Sequence, residues 1–108
     1  MINSPATIWW IEKLLQTPLP CFRRYCLYRI IIPYLINVKR LSYNEYFDVS
    51  CKWLEECNSI SKISFDKQAE TKLRLNSVKN YLPLSIKKLR YENIELYNLI
   101  FMNGNNIL

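Results

Sequence analysis

Residues 17–37 read TPLPCFRRYCLYRIIIPYLIN, and the fold turns on how this stretch is read. Pro18 and Pro20 cannot continue a preceding helix and suit a turn or a first helical position. Arg23 and Arg24 follow at once. From 25 to 36 the chain is apolar except at Arg29 and Pro33. On a helical wheel that run is apolar on nearly every side, the pattern of a helix covered by its neighbours. The arginines stand at its mouth, where free backbone N–H groups and the helix dipole favour an anion. The expectation is a central hydrophobic helix at roughly 21–37, with the other helices packed around it. Pro33 should kink it or mark a short break.

Composition agrees with an all-α domain. The chain has 108 residues, which fits one domain over 1–108. Half of the residues are apolar, enough for a core. Its single glycine is Gly104, whereas hairpins and sandwiches need glycine in their turns. The expected architecture is a compact bundle of about five helices, ordered over about 5–102, with a flexible tail at 103–108. The formal charge is +6, from 15 basic and 9 acidic residues with no histidine. That balance suits a polyanion, a nucleotide or an acidic partner. A coding bias toward Lys, Ile, Asn and Tyr would produce it as well. The short apolar runs at 8–15 and 30–36 cannot span a bilayer, and no signal peptide is visible. The chain therefore reads as cytoplasmic, with no membrane partner.

Ser4 and Pro5 open the first helix, expected to run to about Gln16. Ile8, Trp10, Ile11, Leu14 and Leu15 make one face of it. Trp9 falls opposite, where it could anchor a partner or stack on a base, or be covered by a loop. Ser42 with Glu45 three residues on is a capping box. It begins the most regular helix, with Tyr46, Phe47, Val49, Trp53, Leu54 and Cys57 on one face. Asn44, Asp48, Lys52, Glu55 and Glu56 line the other. Asp66 or Ser64 can cap a further helix to about Tyr81, with Ala69, Leu73, Leu75, Val78 and Leu82 for apolar contacts. Ser85 can cap a short turn over 86–89, and a last helix is expected over 92–102, with Ile94, Leu96, Tyr97, Ile100 and Phe101 for apolar contacts.

The chemistry present is that of binding. Without histidine there is no imidazole acid–base catalyst and no base for a cysteine nucleophile. No glycine loop cradles a phosphate, and no Asp-x-Asp pair holds two metal ions. No catalytic residues are assigned. Cys21, Cys26, Cys51 and Cys57 have four, twenty-four and five residues between them. This matches no usual zinc spacing and favours core thiols. Arg23, Arg24 and Arg29 are the candidate phosphate ligands, because a guanidinium is a planar fork suited to phosphate oxygens. They could instead pair with Glu12, Asp48, Glu55 or Glu56. Lys39, Arg40, Lys87, Lys88 and Arg90, with Trp9, are candidate nucleic-acid contacts, or solvated charge.

Several segments, in order, resemble one family. They are Trp10-Ile-Glu-Lys-Leu-Leu-Gln-Thr-Pro-Leu, the arginines at 23 and 24, Ile32-Pro-Tyr-Leu-Ile-Asn, Leu41-Ser42, Trp53-Leu-Glu-Glu-Cys, and Leu89-Arg-Tyr-Glu-Asn-Ile-Glu-Leu-Tyr-Asn-Leu-Ile. Together they look like the PriX-type noncatalytic subunit of archaeal DNA primase. That module is similar to the C-terminal domain of the primase large subunit, and more loosely to helix-bundle domains of primase-polymerases. The resemblance implies an all-α fold and a role in primer synthesis during DNA replication. It implies binding of an initiating ATP- or GTP-type triphosphate and of single-stranded template DNA, beside a catalytic small subunit and a large subunit. Arg23 would contact the phosphates, with Arg24 assisting, and no permanent cofactor is implied. The family pattern has an acidic residue and a glycine just before the arginine, where this chain has Cys21 and Phe22. The large-subunit domain holds an iron–sulfur cluster on four cysteines. The spacing here does not resemble that arrangement, so no metal is expected.

Two other readings use the same residues differently. A helix-turn-helix DNA-binding protein would read duplex through Lys72, Arg74, Asn76 and Lys79. A protein-interaction adaptor would use Trp9 and bind no nucleotide.

Overall fold

Pro33 has no N–H to donate, and its ring would press on the carbonyl of Arg29 one turn earlier. The chain accommodates it by widening the turn just ahead. In the computed structural model, which describes residues 5–77 and 82–102, α2 (Arg23–Cys26) runs into a π-helical stretch (Leu27–Ile31) and then into α3 (Ile32–Asn37). The junction residues Cys26, Ile31 and Ile32 all keep right-handed helical angles, so 23–37 is one continuous helix. The expected kink at Pro33 is thus a π segment, one of the few ways a helix absorbs a proline without ending.

The described chain sorts into two units, the described parts of Pro18–Pro83 and those of Met1–Thr17 with Leu84–Leu108. In the first, the 23–37 helix is the buried element: Cys26, Leu27, Ile30, Ile31 and Ile32 are fully covered, and Tyr34 and Leu35 nearly so. Each such aliphatic side chain contributes about 1.5–3 kcal/mol on burial. Val38 and Lys39 both donate to the Tyr34 carbonyl at 3.0 Å. Arg40 then takes a left-handed φ of 59°, and the Leu41 N–H returns to the Leu35 carbonyl at 3.0 Å.

That turn delivers the chain to α4 (Tyr43–Ile60), which packs against α3. Its capping box is formed in full. The Ser42 N–H donates to Glu45 Oε1 at 2.8 Å, and the Glu45 N–H donates to Ser42 Oγ at 3.4 Å. These bonds, the backbone one foremost, hold the Glu45 carboxyl below the usual carboxylate range. Ser50, Trp53, Leu54 and Cys57 are buried, while Asn44, Asp48, Lys52 and Glu55 face solvent, as the 3.6-residue period requires.

α5 (Lys67–Ser77) packs against α4 and the π stretch, but among its described side chains Ala69 and Leu73 are not the ones it buries. Asp66 does open it, Oδ1 accepting the N–H groups of Gln68 and Ala69, each at 3.0 Å. Ala69, Leu73 and Leu82 are nevertheless exposed, and Glu70 and Thr71 are buried in their place. Polar contacts set the rotation. Thr71 Oγ1 donates to the Lys67 carbonyl at 2.8 Å and meets Cys51 Sγ at 3.8 Å, while Glu70 faces Arg24. The Leu75 and Arg74 side chains, Val78 and Lys79 lie outside the described part.

The second unit holds α1 (Pro5–Leu15), α6 (Ile86–Glu92), α7 (Ile94–Tyr97) and a terminal π stretch (Asn98–Met102). Ser4, the Ile8 side chain and the 103–108 tail lie outside the described residues. Trp10, Ile11 and Leu14 of α1 are buried, as are Leu89, Leu96 and Ile100. The rings of Trp10 and Phe101 lie 5.7 Å apart. The single helix expected over 92–102 is interrupted at Asn93, whose φ of -147° and ψ of 82° are not helical. Its Oδ1 accepts the Leu96 N–H at 3.0 Å and starts α7 in a new phase. Ile94, expected to be a core contact, is left 49% exposed by that shift. Likewise the short turn expected at 86–89 is a two-turn helix, with the Ser85 hydroxyl accepting the Lys88 N–H at 3.1 Å. All regular structure among the described residues is helical, and none of those helices is long and apolar enough to cross a membrane.

Candidate functional site

The mouth of the 23–37 helix is built by the turn before it. Leu19 is fully buried, and its N–H donates to Cys57 Sγ at 3.4 Å, tying the turn to the end of α4. Phe22 then sits at φ 60° and ψ 27°, in the left-handed region. This is the position where the resemblance implies a glycine. The backbone keeps the conformation glycine adopts freely, and Phe22 bears the steric cost of its Cβ, about 1–2 kcal/mol. Comparison of Phe22→Gly with Phe22→Ala isolates that cost, since both lose the ring. Urea denaturation should find the glycine variant more stable by about 1 kcal/mol.

The Phe22 carbonyl accepts the Cys26 N–H at 2.9 Å and begins the helix, but no side chain caps it. By position, the N–H groups of Arg23 and Arg24 have no acceptor within the helix. The two arginines that follow differ sharply. Arg23 is half-buried, and its guanidinium donates to three carbonyls: Leu19 at 2.9 Å, Cys57 at 3.5 Å and Lys62 at 3.3 Å. It joins the lead-in turn, the last turn of α4 and the loop beyond. Arg24 stays exposed, with Nε 3.7 Å from Glu70 Oε1 and its guanidinium 4.7 Å from the centre of the Phe65 ring. An ion pair on one edge and a ring under one face hold the fork in place while its side chain remains 56% exposed.

Around Arg24 lies an open cleft of about 400 Å³, lined by residues 20–25 with Ser64 and Phe65. Ser64 and Phe65 also line a neighbouring cleft of about 410 Å³ with Cys51, Glu55, Asp66, Lys67 and Gln68, where Lys67 Nζ stands 3.9 Å from Glu55 Oε2. Arg29 is half-buried in the π stretch and has a partner of its own, but does not line the first cleft. Lys39 and Arg40 are exposed on the turn after α3.

In the other unit Trp9 is 41% exposed, with Lys13 Nζ 5.7 Å from its ring centre. Lys87, Lys88 and Arg90 are exposed on α6, Arg90 lying 5.6 Å from the Tyr97 ring. Two partners of Arg24 were not anticipated. Glu70, rather than Glu12, Asp48, Glu55 or Glu56, is the carboxylate at Arg24, and Phe65 lies beneath it. Phe65 had a signal, being the one aromatic residue between Cys57 and Asp66. Glu70 had none, since its helix shows no clean period.

The thiols are free. Burial pushes the Cys26 thiol far up, with Cys57 and Cys21 nearby adding to the shift. Burial also raises Cys57, against the Leu19 N–H and Arg23, which lower it. Cys51 is raised chiefly by burial as well. Cys21 is exposed at the cleft rim. Among the described residues no three of His, Cys, Asp and Glu converge as a metal site would require.

The described chain is thus an all-helical protein with a supported cation at the edge of an open cleft. Comparison with known proteins makes the class specific. The family model for Primase X matches residues 5–103, and the chain belongs to that family, as a primase-related accessory protein. No curated protein matches it.

Proposed function

We propose that the chain is a noncatalytic accessory module of a DNA primase that binds the initiating nucleoside triphosphate and the template strand. The observation that carries the reading is Arg24, a guanidinium held by Glu70 and Phe65 at the lip of a cleft into which a helix mouth opens. A triphosphate there would meet the fork, the first helical N–H groups and the positive end of the helix. Membership of Primase X supports primer initiation as the setting. The catalytic small subunit, which would supply the metal-binding carboxylates, and the large subunit are then the partners. In this reading Arg24 is the principal phosphate ligand, with Arg23 supporting the turn from beneath and Arg29 acting farther along the helix. Lys39, Arg40, Trp9, Lys87, Lys88 and Arg90 are the residues offered to the nucleic acid.

The test is a titration with ATP and with AMP, followed by amide shifts. ATP should perturb the 20–25 and 64–65 signals, and AMP should do so much more weakly. Arg24→Ala should weaken ATP by about 1.5–3 kcal/mol, the range of hydrogen bonds to charged groups. If ATP leaves those signals unmoved at millimolar concentration, or if the variant binds as the parent does, the reading fails.

A further inference from the structure

We propose that the outer face of α6 is a stacking platform for a single nucleic-acid strand, with Tyr91 as the residue that takes the base. This rests on the template-binding reading above, adds a residue to it, and decides between strand and duplex. Tyr91 is 89% exposed, well beyond the other large hydrophobic side chains of the described chain. An aromatic ring left in water in this way lacks the packing that ordinarily explains a tyrosine.

Its neighbours give the ring a ligand class. At about 100° per residue, Arg90, Lys87, Tyr91 and Lys88 follow one another round the helix over an arc of about 160°. Tyr91 lies inside that arc, one turn from Lys87 and from Lys88. Leu89, fully buried, points the opposite way and anchors the helix. Lys87, Lys88 and Arg90 are all exposed. Arg90 is further steadied against the Tyr97 ring at 5.6 Å. Glu92 comes only beyond Lys88, leaving the Lys87 side of Tyr91 free of acid on this helix.

Cations spaced round an exposed ring suit a single strand, whose phosphates meet the charges while an unpaired base lies on the ring. A duplex would use the same lysines but offers no base face to Tyr91. An acidic protein surface would use the ring and the cations alike, but would leave the oligothymidylate unbound in the test below.

The experiment is fluorescence polarisation with an oligothymidylate of about ten nucleotides, within the site sizes typical of such surfaces, and with a duplex of equal length. Tyr91→Ala should weaken the single strand by roughly tenfold or more, Tyr91→Phe should restore it, and duplex binding should not change. Lys87→Ala with Lys88→Ala should weaken both and flatten the salt dependence. Thermal unfolding should match the parent for the tyrosine variants, since the side chain is exposed. Equal strand affinity for Tyr91→Ala and the parent, or preference for the duplex, overturns the proposal. An ATP titration of the same samples separates the two readings. Strand binding indifferent to Tyr91 overturns only the platform, whereas absence of any strand binding overturns the template reading with it, and the triphosphate site stands or falls on its own titration.

Discussion

Trp53→Ala is expected to lower stability by about 3–5 kcal/mol, the largest effect of any single change considered. Trp53 lies in the middle of α4, is 1% exposed, and sits on the buried stripe with Ser50, Leu54 and Cys57. Truncation removes the largest side chain of that stripe and leaves a void that the helix cannot close without losing its register against α3 and α5. A domain of this size is stable by about 5–15 kcal/mol, so the loss is a large fraction of the whole. The check is urea denaturation, where the midpoint should fall with little change in slope. Trp9→Ala on the exposed face of α1 is the control and should stay within about 0.5 kcal/mol of the parent. A Trp53→Ala loss below about 1 kcal/mol would mean that α4 is not held by its buried stripe, and the packing described above would have to be given up.

The elements legible in the sequence are those with a local physical cause. The capping box at Ser42 and Glu45 needs only residues three apart, and it forms as written. The α1 face at Trp10, Ile11 and Leu14 follows from period alone. Pro33 could be read as a disturbance, because a missing N–H is a local fact, but its resolution as a π stretch depends on the buried surroundings. α5 shows where such reading ends. Its rotation is set by Glu70 meeting Arg24 and Thr71 meeting Cys51, contacts across long sequence separations that leave no periodic trace. Asn93 is similar: a single side-chain cap interrupts what composition offers as one helix.

The cleft divides along the same line. Arginines at a helix mouth are visible in any listing of the chain, and so is the departure at Cys21 and Phe22. At that position Phe22 itself takes the left-handed conformation that a glycine adopts freely. What distinguishes Arg23 from Arg24 is invisible in the sequence, because the partners of Arg23 are main-chain carbonyls, and a carbonyl has no residue type.

Arg23→Ala is accordingly expected to act first on stability, lowering it by about 1.5–3 kcal/mol. Its guanidinium spans the carbonyls of Leu19, Cys57 and Lys62. The Cys57 carbonyl keeps a second donor, the Ser61 N–H at 3.0 Å, so the loss falls mainly on the other two. The Leu19 carbonyl belongs to a fully buried residue, and replacing that bond with water would require the turn to open. Arg23→Lys should recover less than half of the loss, because one ammonium cannot reproduce a planar fork reaching three carbonyls. Arg24→Ala removes a mostly exposed side chain but takes this cation from the buried Glu70 carboxylate, so it should lower the urea midpoint, though less than Arg23→Ala does. The two variants should therefore separate, one chiefly in the denaturation curve and the other chiefly in the ATP titration. If instead Arg23→Ala is as stable as the parent and loses ATP, then the carbonyl tie has no net worth and Arg23 is the phosphate ligand that the family resemblance implies. The same measurement thus decides which of two adjacent arginines supports the site and which one uses it.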